Sequence, residues 1–184
     1  MTGGDDNWIA QAIAGDTAAF GACVRRHGAA LKQLARGMGV PETDVDDVVQ
    51  DTLVAAWRSL AEFDRGRPFR PWLIRIGVNK VRDLQRFRRV RFFLFNAVPM
   101  DESEWHAWAD DAASPEQASI ARWDLIRVTR ILQRLEPDLR EAIVLTAFVG
   151  LSQVEAATTL GVSLKTIEGR VLRARNKLSG LMDR

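Results

Sequence analysis

The sequence predicts an all-α protein built as two small helical domains joined by a flexible linker. Three observations carry that prediction. Apolar residues recur at three- and four-residue spacings along most of the chain, and no alternation of strand length interrupts them. Turn and capping signals divide the periodic stretches into pieces of ordinary helix length. Between Phe92 and Ala113 the composition changes, from the apolar "FFLF" through Pro99 to the acidic "DESEWHAWADD". With 184 residues, 47% of them hydrophobic, the chain has material for a real core.

The elements follow in order. "NWIAQAIAGD" reads as a short helix stopped at Gly15, and "TAAFGACVRRHGAALKQLARG" as a longer one ending near Gly37. After "MGVPET", Thr43 is placed to cap a third helix, with Asp44 and Asp46 in its first turn, where carboxylates suit the helix dipole. "FDRGRPFRP" breaks that helix, and Pro71 opens another that runs to about Arg89. The second domain starts at Ser114, with Pro115 at the first helical position and Gln117 in capping-box register. Pro137 separates that helix from "DLREAIVLTAFVG", which Gly150 ends. Ser152 and Glu155 form a second capping box, Gly161-Val162-Ser163 is a tight turn, and Ser163 caps a last helix from Leu164 to about Leu178.

Composition narrows the function classes. No apolar run is long enough to span a bilayer, and "MTGGDDNW" lacks the basic start and apolar stretch of a signal peptide, so the expectation is a cytoplasmic protein without membrane insertion. A single cysteine, Cys23, forms no internal disulfide. With only His27 and His106 beside it, no zinc set assembles, and Cys23 reads as a small core residue. Net charge is only +2, but residues 82–91 hold five arginines and one aspartate, while residues 101–111 hold five acids and no Lys or Arg.

Three helical faces point outward with a purpose. On the third helix Val45, Val48, Val49, Thr52, Leu53 and Ala56 share the buried side. Opposite lie Asp46, Asp47, Gln50, Asp51, Val54, Trp57 and Arg58. A valine and a tryptophan among carboxylates suit a docking surface for a basic partner helix. They equally suit a tryptophan covered by a neighbouring helix of the same domain. On the fourth helix Trp72, Leu73, Ile76, Leu84 and Phe87 face inward, while Arg75, Asn79, Arg82, Arg86 and Arg89 form one stripe. Adjacent guanidinium groups repel, and a nucleic-acid partner would offset that cost; a merely solvated basic face is the other reading. On the last helix Leu164, Ile167, Val171, Ala174 and Leu178 face inward. Lys165, Thr166, Gly169, Arg170, Leu172, Arg173, Asn176 and Lys177 face out. Behind "SQVEAATTLGVS", this is a helix-turn-helix with a basic outer face. Asp44, Asp46, Asp47 and Asp51 point to different sides of one helix, and no phosphate-cradling glycine motif exists. A catalytic metal centre is therefore not expected.

These stretches, taken together, resemble the extracytoplasmic-function (ECF) group of RNA polymerase sigma factors, in the sigma-70 superfamily, over nearly the whole length. "DVDDVVQDTLVAAWRSLAEFD" resembles the group's core-polymerase-binding helix, and "GRPFRPWLIRIGVNKVRDLQRFRR" its stretch that melts and reads the minus-ten element. "LEPDLREAIVLTAFVGLSQVEAATTLGVSLKTIEGRVLRARNKL" resembles its region four, which reads the minus-thirty-five element. The resemblance implies region two over residues 1–91, a linker over 92–113 and region four over 114–184. It implies a promoter-specificity subunit with no enzymatic activity and no cofactor. Its partners would be core polymerase (the clamp helices of the largest subunit, and the flap), promoter DNA and an anti-sigma factor.

By the same resemblance Asp47, Gln50, Asp51, Val54 and Trp57 dock polymerase. Asp64, Arg67 and Phe69, in the loop that takes up a flipped base, serve the minus-ten element with Arg75, Asn79, Arg82, Arg86 and Arg89. Lys165, Thr166, Gly169, Arg170, Arg173 and Lys177 serve the minus-thirty-five element. Three departures stand out: Glu168-Gly169, where a basic and then a small polar residue are common, and Ala156 and Thr159, where larger aliphatic residues are usual. The apolar Phe92–Phe95 run and the Trp105/Trp108 pair allow two readings. Either the domains close on each other with the linker packed between them, or "FFLF" completes the first domain's core.

Overall fold

The computed structural model describes residues 5–95 and 120–182. The first domain comprises α1 (Asp5–Ile13), α2 (Thr17–Gly37), α3 (Glu42–Ser59), a single 3₁₀ turn (Leu60–Glu62) and α4 (Phe69–Phe95). Asp16 starts α2, its carboxylate accepting from the backbone N–H groups of Ala18 and Ala19 at 2.8 and 3.2 Å.

The start of α3 departs from expectation. The helix begins at Glu42 after Pro41 with no side-chain cap, and the Thr43 hydroxyl donates instead to the Asp44 carboxylate at 2.8 Å. Tertiary ion pairs hold this turn in place of a cap. Arg36 of α2 grips Glu42 at 2.8 and 2.5 Å, and Arg88 of α4 pairs with Asp44.

Leu31, Leu34, Val45, Leu73, Ile74, Val78 and Val81 fill the core between α2, α3 and α4. Gly77 lets α4 lie close to α2, because a Cβ there would stand 2.9 Å from a Leu34 methyl. Buried Thr52 spends its hydroxyl on the carbonyl of Val48 at 2.7 Å.

The fourth helix is longer than its pattern indicates. It continues past Arg89 and Arg91 to Phe95, so the "FFLF" run is helical. No breaker lies between Arg89 and Pro99, and the helix has no local reason to stop. Phe87 is also misassigned by the wheel: it is 63% exposed, while Gln85 and Arg88 beside it reach Met38 and Asp44.

The second domain comprises α5 (Ile120–Gln133), α6 (Pro137–Ile143), a π-helical turn (Val144–Phe148), α7 (Gln153–Leu160) and α8 (Leu164–Met182). Ser114, Pro115 and Gln117 lie outside the described residues, as do the linker's Trp105 and Trp108. Arg140 ties α5 to α6 by donating to the carbonyls of Leu132, Gln133 and Leu135 at 3.0, 2.9 and 2.9 Å. Burial lowers its pKa from the usual arginine value. The Ser152–Glu155 capping box is present, and Gly161 closes α7 at φ 69°, a left-handed conformation suited to glycine. Ala156, Ala157, Ile167, Val171 and Ala174 form the crossing of α7 and α8. Leu164 is a second misassignment, 41% exposed at the start of α8, before the crossing begins.

The two domains pack directly on one another, helix to helix. The π-helical turn sits against α2, and α7 sits against α4. Gly37 makes the first contact possible, since a Cβ there would stand 2.9 Å from a methyl of Val144. Val144 and its neighbour Leu145 are fully buried.

Candidate functional site

Three surfaces emerge from this packing. The first is a groove along α3, lined by Phe20 of α2 with Asp46, Val49, Gln50, Leu53, Val54 and Trp57. Trp57 is half-buried, its ring edge-on to Phe20 with centroids 4.9 Å apart, so α2 covers one side of the indole and leaves the other open. Val54 is 41% exposed, and Asp47, Gln50 and Asp51 are exposed on the same helix. The reading of Trp57 as covered by a neighbouring helix therefore holds for one side of the indole. Lys32 pairs with Asp46 at 2.8 Å and holds its carboxyl below the usual range. Asp44 pairs with Arg88, so the four aspartates of α3 disperse in three directions.

The second surface joins the loop before α4 to the arginine stripe. Asp64 shapes that loop by accepting from the Gly66 N–H at 2.9 Å and pairing with Arg67 at 3.2 Å. Asp64, Arg65, Gly66, Arg67 and Pro68 are exposed. Phe69 is not, and here the sequence expectation is corrected. It is 4% exposed, edge-on to Trp8 at 4.8 Å and to Phe63 at 5.4 Å, and tilted against Trp72 at 5.2 Å. It is the floor beneath the loop, not part of its outer face.

Arg75, Asn79, Arg86 and Arg89 are exposed along α4. The stripe is less free of acids than its sequence indicates. Asp83 pairs with Arg86 at 3.2 Å, and Glu141 of the second domain accepts from Arg82 at 2.7 and 2.6 Å. That carboxylate holds the Arg82 guanidinium above its usual pKa, the hydrogen bonds outweighing burial.

The third surface is the outer side of α8. Lys165, Glu168, Leu172, Arg173, Arg175 and Asn176 are exposed. Thr166 closes the helix start, its N–H donating to the Ser163 hydroxyl at 3.1 Å. Gly169 is half-buried, with open space where a Cβ would stand. Arg170 and Lys177 turn instead toward α6, pairing with Asp138 and Glu136, and Lys177 keeps Glu136 below the usual carboxylate range. The α8 residues best placed to meet a groove are thus Lys165, Leu172 and Arg173.

Sequence reasoning missed Phe20, Arg65 and Glu141. Phe20 and Glu141 act across elements distant in the chain, which no helical wheel relates. Arg65 lies in the quoted loop and was legible there.

The family model for sigma-70 region 2 matches residues 23–91, and that for sigma-70 region 4 matches residues 125–178. The chain is 58% identical over 175 residues to the RNA polymerase sigma factor CnrH of Cupriavidus metallidurans, covering 95% of this chain and 92% of that one. It is 51% identical over 178 residues to the sigma factor NccH of Alcaligenes xylosoxydans xylosoxydans, covering 97% and 94%. Among solved structures it is similar to CnrH in complex with the cytosolic domain of CnrY, with a TM-score of 0.76, 50% identity and 97% of each chain covered. It is also similar to the sigma factor RpoE in complex with the anti-sigma factor NepR from Bartonella quintana, with a TM-score of 0.74, 29% identity, and 89% and 96% covered. Among the described residues, no helix is long and apolar enough to cross a membrane. The chain belongs to the ECF RNA polymerase sigma factors, a family of transcription regulators rather than enzymes, and its two helical domains are sigma regions two and four.

Proposed function

We propose that this chain acts in the cytoplasm as the promoter-specificity subunit of RNA polymerase, and that an anti-sigma factor restrains it. The observation that carries this reading is the α3 groove, lined by Phe20, Val49, Leu53, Val54 and Trp57 with Asp46 and Gln50, on a helix that also exposes Asp47 and Asp51. Such a surface fits a partner helix with basic edges, as core polymerase would offer. The exposed loop at Asp64–Pro68 and the stripe at Arg75, Asn79, Arg82, Arg86 and Arg89 then serve the minus-ten element. Lys165 and Arg173 of α8 serve the minus-thirty-five element.

Reconstituted transcription tests the reading. Core polymerase plus this chain should initiate from its promoters, and the Asp47→Arg, Asp51→Arg double variant should not assemble. Reversing charge in an interface typically costs several kcal/mol. Both positions are exposed, so the variant should still fold. Normal core binding by the folded double variant would refute the docking assignment. Promoter binding by the isolated chain, with no affinity for core, would favour a stand-alone regulator instead.

A further inference from the structure

The line of α8 that stands farthest from its core is not explained by its charges. At about 100° per residue, Lys165, Gly169, Leu172 and Asn176 fall within roughly 60° of one another, opposite the buried Ile167, Val171 and Ala174. Leu172, in the middle of that line, is 61% exposed. Gly169, one turn before it, has no heavy atom within 4 Å of where a Cβ would stand. The chain's own packing therefore does not require glycine there, although glycine in a helix interior is less stable than alanine. Such a glycine suits the close approach of another molecule.

The charge around the line indicates which molecule. Lys165 on the line, and Arg173 and Arg175 beside it, are exposed. Arg170 and Lys177 turn away to Asp138 and Glu136, and Glu168 sets an exposed carboxylate on one flank. The face stays cationic, as a duplex requires, but few of its groups are left for phosphates. Its central side chain is apolar. The major groove displays one apolar group, the 5-methyl of thymine, and an aliphatic side chain matches it. The helix is also the second of a helix-turn-helix, the element whose outer line enters that groove.

We propose that Leu172 is a specificity-determining residue of the upstream contact. It packs on the 5-methyl group of one thymine in the minus-thirty-five element, and Gly169 lets the helix come close enough for that side chain to reach. The inference rests on the reading of α8 as the minus-thirty-five helix and adds the chemical group that is read. The departure to glycine at position 169 then has a role, since lower helix stability is exchanged for depth in the groove.

The test removes the methyl from the DNA and the side chain from the protein. Holoenzyme reconstituted with the full chain selects minus-thirty-five elements from a randomised duplex pool. Each thymine of the selected element is then replaced in turn by deoxyuridine, which lacks only the methyl. One position should lose about fourfold in affinity, the worth of one buried methylene. With Leu172→Ala the same replacement should change affinity little, and the thymine should vanish from the variant's own selected set. Leu172 is exposed and alanine is a good helix former, so this variant should keep its helical content and its core binding. Gly169→Ala should raise the melting temperature yet weaken binding to the wild-type element several-fold. A wild type with no uracil-sensitive position, or an equal loss in Leu172→Ala, would overturn the methyl contact. Gly169→Ala binding as tightly as wild type would overturn the close approach. Failure of the wild type to bind core polymerase would count against the proposed function, and the same uracil scan on duplex selected by the full chain alone would still decide the methyl contact.

Discussion

Arg82 and Arg86 are one helical turn apart and share a sequence context, yet the structure gives them different tasks. The Arg86 side chain is 75% exposed and pairs with its neighbour Asp83, so losing it should cost little stability. The Arg86→Ala variant should weaken holoenzyme binding to all promoter sequences alike and lower the salt slope by about one unit, as titration at several salt concentrations will show. Arg82→Ala should in addition destabilise the free chain, because it leaves the Glu141 carboxylate buried without its partner. With the Arg82 side chain 43% exposed, the low end of the usual range applies, about 3 kcal/mol, measurable by urea unfolding. Phe69 gives a contrasting case. As the floor of the aromatic cluster, its replacement by Ala should cost about 3–5 kcal/mol and loosen the loop above it. Unfolding by denaturant reads the first effect, and a changed preference within the minus-ten element reads the second.

At the scale of elements, the helix-turn-helix depends on its two ends. Gly161 holds the turn at φ 69°, where a side chain costs roughly 1–2 kcal/mol, so Gly161→Ala should lower the melting temperature without touching the α8 outer face. Swapping Leu164–Arg173 for the matching segment of another ECF sigma factor should transfer upstream promoter preference, because direct readout resides in few outward side chains. Arg170 makes the swap informative. It pairs with Asp138 of α6, so the transferred preference should follow Lys165, Gly169, Leu172 and Arg173 and survive restoration of Arg170. A promoter set indifferent to those four positions would refute the assignment of this face.

Taken as a whole molecule, the chain couples its domains through the π-helical turn, α2 and α4. Val144 belongs to the second domain's core and also meets Gly37 of the first, so wild type should melt in one calorimetric transition. Glu141→Gln should split that transition in two, and raised salt should act in the same direction for the exposed part of the ion pair. A single transition in the variant, at the wild-type temperature, would mean that Arg82–Glu141 contributes nothing to domain coupling.

The sequence by itself determined the helical class, the capping box at Ser152 and Glu155, the turn at Gly161, the stripe from Arg75 to Arg89 and the motifs of the family. All of these are written along continuous stretches of chain, where period and capping chemistry are legible. Only the tertiary structure decided that Phe69 lies under the loop, that Phe87 and Leu164 are exposed, and that α4 reaches Phe95. It alone decided that Phe20 completes the α3 groove and that Arg170 and Lys177 serve α6. The pairing of Arg82 with Glu141 shows the reason most directly. Those residues lie 59 positions apart in the chain, and a helical wheel reports which way a side chain points but not what another domain brings to meet it.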